Sequence, residues 1–200
     1  MNSNLFGVVL LAAGASVRLG EAKQLLEFQN RTLLRRSAET ALQVSAAVVV
    51  TLGARGETLR KEIEDLPVKI AENKDWEKGM GGSLKVGLGK LLETSENLEG
   101  VIVMVCDQPF VSGGLLEKMI AKYTKTNAPI VACEYENALG VPALFAAKLF
   151  PELLALESEN GAKHLIRKYR AETVSVPFPK GAFDIDTLAD YEKLLKNFTL

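Results

Sequence analysis

The strongest constraint on the fold is a series of short, continuous apolar runs separated by amphipathic segments. The runs lie at residues 6–11, 46–52, 101–105 and 129–133, and a weaker one lies at 68–71. A strand covered on both faces has apolar side chains throughout, whereas a half-exposed strand alternates apolar with polar residues. The runs therefore predict strands buried within a parallel sheet.

The segments between these runs place apolar side chains at helical spacing. Three of them lie at 33–42, 84–92 and 115–123. Repetition of strand and helix predicts an α/β fold of three layers, in which a doubly wound, mostly parallel sheet has helices on both faces. Such folds bind ligands at the carboxyl ends of their strands.

The pattern changes in the last third of the chain. Residues 134–145 predict a hairpin or an excursion at the sheet edge. Short helices at 148–156 and 161–169, a strand at 173–176 and a last helix at 187–196 then follow. No repeat or Gly/Ser-rich linker interrupts this order, so we predict a single domain over residues 1–200.

Composition excludes several classes of protein. Lys and Arg number 24 and Asp and Glu 25, which argues against a protein that coats nucleic acid. Two cysteines cannot build a disulfide scaffold or a zinc ribbon, and one histidine cannot build a His-rich metal site. The apolar run at 5–15 is shorter than the roughly 20 residues that cross a bilayer. No Lys or Arg precedes it, so we predict a buried strand and a cytoplasmic protein.

The loop after the first run, residues 11–23, combines small residues with Arg18 and Lys23. Backbone N–H groups in such a loop can approach a phosphate closely. The spacing of Gly14 and Gly20 fits neither a P-loop nor the dinucleotide-binding fingerprint. A tight turn with solvated cations therefore stays open as an alternative.

Carboxylates follow the third run and precede the last helix. Asp107 would lie at the carboxyl end of a strand, where it could bind Mg²⁺ or could cap the next helix. Asp184 and Asp186 point to one side if that segment is extended, and capping by Asp186 or Thr187 is the alternative there.

Two further segments carry glycine at positions that could shape a ligand site. Residues 76–84 form a glycine-rich entry to a helix, which offers unpaired N–H groups to an anion. A flexible loop closed by a Ser83 N-cap is the alternative. Residues 140–145 form a turn with a bulky apolar end, which could line a pocket or simply pack.

Together these segments resemble the MobA-like nucleotidyltransferases that build molybdenum-cofactor dinucleotides. The motifs that carry the resemblance lie, in matching order, at 11–23, 76–84, 106–109, 140–145 and 184–187. The pair Ala12-Ala13, with Pro-Ala-Leu-Phe at 142–145, is similar to the molybdenum cofactor cytidylyltransferases. Guanylyl-transferring relatives usually have Leu-Ala-Gly-Gly in the first loop.

The resemblance implies a nucleotide-diphospho-sugar transferase-like (Rossmann-like) fold and the transfer of CMP from CTP to molybdopterin. The implied catalytic residues are Arg18, Lys23 and Asp107, and the implied Mg²⁺ ligands are Asp107 and Asp186. The implied nucleotide-binding residues are Leu11, Ala12, Ala13, Gly14, Ala15, Ser16, Arg18, Lys23, Gly82, Ser83 and Asp107. The expected acceptor-binding residues are Trp76, Gly140, Pro142 and Asp184.

Two departures from the family pattern fall on the acceptor side. Ser158 replaces a usual glycine, and Val141 stands where the family often has proline. Three alternatives therefore stay open: a guanylyltransferase acting on molybdopterin, a cytidylyltransferase acting on a sugar or polyol phosphate, and a module that binds and delivers the cofactor without turnover. The expected partners are CTP and molybdopterin, with a molybdenum-hydroxylase apoenzyme or its insertion chaperone as a possible recipient, and neither nucleic acid nor membrane.

Overall fold

The computed structural model describes residues 5–16 and 22–198. The strands are β1 Phe6–Ala12, β2 Glu27–Phe28, β3 Arg31–Thr32, β4 Val48–Leu52, β5 Lys69–Glu72, β6 Gly100–Val105, β7 Ile130–Tyr135, β8 Ala138–Ala146 and β9 Thr173–Pro177. The α-helices are α1 Leu33–Leu42, α2 Gly56–Lys61, α3 Met80–Thr94, α4 Gly113–Thr126, α5 Phe150–Leu154, α6 Ala162–Lys168 and α7 Leu188–Phe198.

Seven strands form the main sheet, in the order β5-β4-β1-β6-β8-β7-β9. Only β8 among them runs antiparallel to its neighbours, β6 and β7. The predicted mostly parallel sheet is confirmed, and so is the predicted hairpin, which joins β7 to β8. The alternative of an edge excursion is wrong, because β8 lies inside the sheet. Its residues 142–146 are buried on both faces, as a central strand requires.

The first strand shows why its apolar run is continuous. Val8 and Leu10 contribute to a core cluster with α1, α2 and α4, whereas Val9 and Leu11 contribute to a second cluster with α3, α5 and α6. Successive strand residues point to opposite faces, so a strand covered by two helical layers needs apolar side chains at every position. The two clusters confirm the predicted three-layer arrangement.

Helix α3 packs unusually close to the sheet. A Cβ placed on Gly87 would lie 2.3 Å from Oγ1 of Thr51 in β4, so only glycine allows this approach.

Helix α3 has 15 residues, and none of the helices in the described ranges is long and apolar enough to span a bilayer.

Local hydrogen bonds set several helix starts. Thr32 caps α1 by accepting from the Arg35 N–H, and Ser112 caps α4 by accepting from the Leu115 N–H.

The sequence did not predict the shortest elements. The two-residue strands β2 and β3 and the six-residue helix α2 are too short to display a period.

Candidate functional site

The candidate site lies where β1 and β6 end side by side. These strands pair in parallel, with Leu11 opposite Val105, so the loops that follow them emerge at the same edge of the sheet. The loop after β1 carries Gly14 and leads to Lys23, and the loop after β6 carries Asp107. The fold thus brings together two motifs that lie more than 80 residues apart in the chain.

Lys23 connects two carboxylates at this edge. Its Nζ lies 2.5 Å from Oδ2 of Asp107 and 3.0 Å from Oδ1 of Asp186. The side chains of Lys23 and Asp107 are 17% and 18% exposed, whereas that of Asp186 is 40% exposed. The predicted cation and both predicted metal ligands therefore converge on one point.

The residues on either side of Asp186 fix the position of the loop that carries it. The Ile185 N–H donates to the carbonyl of Asp107 at 3.1 Å, and the Ile185 side chain is fully buried in a small cluster with Leu26 and Phe28. Thr187 and Asp190 bond reciprocally at the start of α7, where the Thr187 hydroxyl accepts from the Asp190 N–H and the Asp190 carboxylate accepts from the Thr187 N–H.

These bonds decide between the two interpretations of the acidic residues. Thr187 caps α7, so the capping alternative holds for Thr187, and Asp186 faces Lys23 instead. Helix α4 is capped by Ser112, so the capping alternative does not hold for Asp107. Both carboxylates are thereby left for the site.

The charge of Lys23 is strongly stabilised. Burial alone would lower the pKa of its ammonium, but the charge of Asp107 and the hydrogen bonds to Asp107 and Asp186 outweigh burial and raise that pKa above its usual value. Beside it, burial raises the pKa of the Cys106 thiol to about 12. The site therefore contains a permanent cation and an inert thiol.

The carboxylates fit a hard divalent cation. Oδ1 of Asp107 is buried and has no hydrogen-bond partner among the described residues, so one carboxylate oxygen is available for a ligand. The described residues contain no group of three or more His, Cys, Asp or Glu arranged for a metal. Two carboxylates suit Mg²⁺, which usually keeps several waters and binds substrate phosphates in addition to one or two protein carboxylates.

A cavity of about 200 Å³ opens beside these groups. Seven of the predicted nucleotide-binding residues line it: Leu11, Ala12, Ala13, Gly14, Lys23, Ser83 and Asp107. Trp76, predicted on the acceptor side, lines this cavity too and packs against Gly53, where a Cβ would lie 2.6 Å from the tryptophan Cβ. Gly79 and Met80, from the glycine-rich segment, line it as well, and so does Gln24, to which the sequence analysis gave no role.

The glycine-rich segment shapes one wall of this cavity. A Cβ on Gly79 would lie 2.4 Å from the carbonyl oxygen of Ser158, and one on Gly81 would lie 2.2 Å from that of Asn160. The glycines therefore let α3 begin against the 157–160 loop. Ser83 is inside the helix and accepts a hydrogen bond from Asn73 at 3.0 Å, so the alternative of a loop closed by a Ser83 cap is wrong.

A second cavity of about 260 Å³ adjoins the first and shares Leu11, Met80, Val105 and Asp107 with it. Its remaining lining residues are Val103, Gln108, Tyr135, Val141, Glu159, Gly161, Ala162, Lys163 and Asp184. Burial, reinforced by the charge of Asp107, raises the pKa of the Asp184 carboxyl. Oε1 of Gln108 is buried without a partner among the described residues.

The structure leaves other predicted residues outside both linings. Ala15 and Ser16 belong to the first loop, and Gly82 is buried in α3 opposite Asn73 and Ser158. Gly140 and Pro142 flank Val141, which does line the second cavity, although neither lines it itself. Arg18 lies outside the described residues.

Gln24 and Gln108 show what sequence reasoning missed. Each directly follows a predicted site residue, Lys23 or Asp107, and adjacency was the one signal available. Both side chains are almost fully buried, with 1% and 3% of their surface exposed. A buried amide is uncommon and is normally held by specific hydrogen bonds, but a sequence does not show which glutamine will be buried.

Comparisons with known proteins agree with this geometry. A family model described as the MobA-like NTP transferase domain matches residues 8–174. The chain is 29% identical to nicotine blue oxidoreductase of Paenarthrobacter nicotinovorans, over 94% of this chain and 95% of that protein. It is 30% identical to the molybdenum cofactor cytidylyltransferase of Escherichia coli K12 over 40% of this chain and 42% of that one. It is also 30% identical to a probable molybdenum cofactor guanylyltransferase of Pelotomaculum thermopropionicum, over 56% of this chain and 50% of that one.

Solved structures show the same fold. The crystal structure of Rv0371c from Mycobacterium tuberculosis H37Rv is 29% identical and superposes with a TM-score of 0.84, covering 98% of this chain and all of that one. A manganese complex of Rv0371c also matches, with a TM-score of 0.78, 26% identity, and coverage of 96% of this chain and 98% of that one. The fold is therefore the predicted nucleotide-diphospho-sugar transferase-like fold. With a family model matching most of its length, the chain belongs to the MobA-like NTP transferase family and is a nucleotidyltransferase.

Proposed function

We propose that this enzyme transfers CMP from CTP to the terminal phosphate of molybdopterin and releases pyrophosphate. The observation that carries the proposal is the position of Asp107, which lines both cavities and contacts Lys23. A donor nucleotide in the first cavity and an acceptor in the second would meet at this residue. CTP is a cytoplasmic metabolite, so the proposed reaction belongs in the cytoplasm.

The proposed chemistry needs no nucleophile from the protein. An oxygen of the acceptor phosphate attacks the α-phosphorus of CTP, the bond from that phosphorus to the bridging β-oxygen breaks, and pyrophosphate leaves with the bonding electrons. The protein contributes positioning and charge stabilisation. Lys23 supplies a permanent positive charge at the shared edge, and Arg18 on the same loop is expected to act on the triphosphate with it.

Asp107 and Asp186 would hold Mg²⁺, and the free Oδ1 of Asp107 supports this role. The metal would neutralise negative charge on the phosphates. The manganese complex of Rv0371c supports the use of a divalent cation, and the choice of Mg²⁺ is our proposal.

The choice of CTP rests on the first loop. Ala12 and Ala13 line the nucleotide-side cavity together with Ser83, which supports their assignment near the base or ribose. The double alanine is similar to the cytidylyltransferase form, and the E. coli cytidylyltransferase is among the similar proteins. GTP is the alternative donor, because a probable guanylyltransferase is similar at the same level of identity.

The second cavity supports a flat acceptor that has polar groups at its edges. Its walls include Val103, Val105 and Val141, and the polar side chains Gln108 and Asp184 lie among them. A fused heterocycle such as a pterin can pack its faces against apolar walls and direct ring N–H groups to a carboxylate or amide oxygen. A polyol phosphate is the alternative acceptor, because Tyr135, Glu159 and Lys163 also line this cavity and could pair with its hydroxyl groups and its phosphate. We therefore retain Asp184 on the acceptor side and move Trp76, which lines the first cavity, to the nucleotide side.

A matrix of nucleotides and acceptors tests the proposal. Pyrophosphate release is measured with CTP, GTP, ATP or UTP against molybdopterin, a polyol phosphate or a sugar phosphate, with Mg²⁺ present. We expect release with CTP and molybdopterin. Release with GTP alone contradicts the base assignment, and release with a polyol phosphate but not molybdopterin contradicts the acceptor.

Turnover by the wild type, compared with an Asp107→Asn variant, separates an enzyme from a delivery module. We expect turnover to fall at least about 100-fold, because the metal loses a charged ligand. A wild-type protein that binds nucleotide and molybdopterin without forming product would instead favour the module. Lys90→Met on the exposed face of α3 serves as the control, since the Lys90–Glu93 pair lies outside both cavities.

A further inference from the structure

Gln24 makes three side-chain hydrogen bonds that organise the first loop. Its Nε2 donates to the carbonyl oxygens of Ala12 at 3.0 Å and Gly14 at 2.7 Å. Its Oε1 accepts from the hydroxyl of Ser16 at 3.2 Å, and that hydroxyl oxygen accepts in turn from the backbone N–H of Lys23 at 3.1 Å. One buried amide therefore ties the start of the loop to its end.

These bonds determine which backbone polar groups of the loop are already engaged. The carbonyl of Ala13 accepts from the Ala54 N–H at 3.1 Å, so the carbonyls of residues 12, 13 and 14 are all engaged. No backbone hydrogen bond from the N–H groups of residues 14–16 to another described residue is found. Ser16 has a φ of 56°, in the left-handed region that residues of anion-binding backbone concavities often adopt.

We propose that Gln24 is a positioning residue for the phosphates of the donor nucleotide. It engages the carbonyls of Ala12 and Gly14, whose partial negative charge would repel an anion. The anion would then meet the N–H groups of residues 14–16, which donate to no other described residue. Through Ser16 it also fixes the backbone of Lys23, the residue that contacts Asp107 and Asp186. The inference rests on the proposed function only in naming the anion as a nucleoside triphosphate.

The role proposed for Gln24 requires an amide side chain. A carboxylate of the same length cannot donate to either carbonyl and adds negative charge beside the phosphates. A methionine fills similar space but leaves both carbonyls without their donor. Gln24→Glu and Gln24→Met both remove the two bonds to the carbonyls. The carboxylate adds charge and can still accept from the Ser16 hydroxyl, whereas methionine loses that bond as well. A carboxyl regains one donor when it is protonated.

The test measures binding of inorganic triphosphate and of CTP by titration calorimetry, with Mg²⁺ and without acceptor. We expect Gln24→Met to weaken both ligands at least tenfold. We expect Gln24→Glu to weaken them by at least about 100-fold at pH 8, with partial recovery towards pH 6 that Gln24→Met does not show. Gln29→Met, at an exposed glutamine in the turn between β2 and β3, is the control and should bind like the wild type.

Binding of Gln24→Met within twofold of wild type, or identical pH dependence in the two variants, overturns the inference. If Gln24→Met does not fold, Ser16→Ala keeps the test, because it removes one partner of Gln24 and should weaken triphosphate binding about threefold. Unchanged binding by Ser16→Ala would then contradict the inference. If triphosphate binding depends on Gln24 but the protein has no transferase activity, the proposed function is contradicted and the inference about Gln24 still holds.

Discussion

Replacing Lys23 with methionine tests the centre of the site, because it removes one charge and keeps most of the side-chain volume. This charge lies 2.5 Å from Asp107 and 3.0 Å from Asp186. During transfer it would face the charge that develops on departing pyrophosphate. The substitution should therefore change both stability and catalysis, by amounts that can be separated.

The structure sets the expected loss of stability. Removing one partner of a fully buried ion pair costs about 3–5 kcal/mol, and an exposed pair contributes about 0–1 kcal/mol. The Lys23–Asp107 pair is 17% and 18% exposed, which lies nearer the buried case, and the 40% exposure of Asp186 leaves its pair with Lys23 largely screened. We expect a loss of about 2 kcal/mol, which lowers Tm by roughly 4–8 °C in a chain of this length.

Catalysis should fall further than binding does. Loss of one group that stabilises transition-state charge typically costs about 100- to 1,000-fold in kcat. Because such a group acts on developing charge and not on bound CTP, KM for CTP should change less than about threefold. Calorimetric melting and steady-state pyrophosphate release measure the two effects, with Lys90→Met as the control. Mg²⁺ should raise Tm of Lys23→Met more than that of the wild type, because two carboxylates have lost their cation.

A tenfold rise in KM with kcat unchanged would refute the transition-state role of Lys23. An unchanged Tm would refute the argument from burial. The two outcomes are independent, since one concerns the loaded enzyme and the other the free protein.

Three further predictions concern packing, thiol chemistry and the acceptor. Gly87→Ala should lower the free energy of unfolding by about 1–3 kcal/mol, because its Cβ would lie 2.3 Å from Oγ1 of Thr51. In the same helix, a Cβ on Gly89 meets nothing within 4 Å, so Gly89→Ala should raise that free energy by up to about 1 kcal/mol. Chemical denaturation measures both changes. Burial raises the pKa of both cysteine thiols to about 12, so neither should react with a thiol reagent at pH 8 until the protein unfolds, and reaction of the native protein would contradict their burial. Asp184→Asn should raise KM for the acceptor at least about fivefold and leave KM for CTP unchanged, and equal effects on both would contradict the assignment of the second cavity.

Much of the fold followed from local pattern. The apolar runs located β1, β4, β6 and β7, because a doubly covered strand must be apolar at each position. The position of β8 inside the sheet could not be predicted. A hairpin strand can pair at an edge or between two strands, and the choice is a pairing between distant segments that no local pattern encodes.

The sequence by itself determined that a cation and carboxylates would be present near strand ends, and its ordered motifs indicated the family. Only the tertiary structure decided that Lys23 contacts both Asp107 and Asp186, and that Thr187 takes the capping role. It also decided that the Gln24 amide holds the carbonyls of the first loop. The physical reason is range: apolar periodicity and capping act between neighbours in the chain, whereas ion pairs and buried amides are set by which loops the sheet brings to one edge.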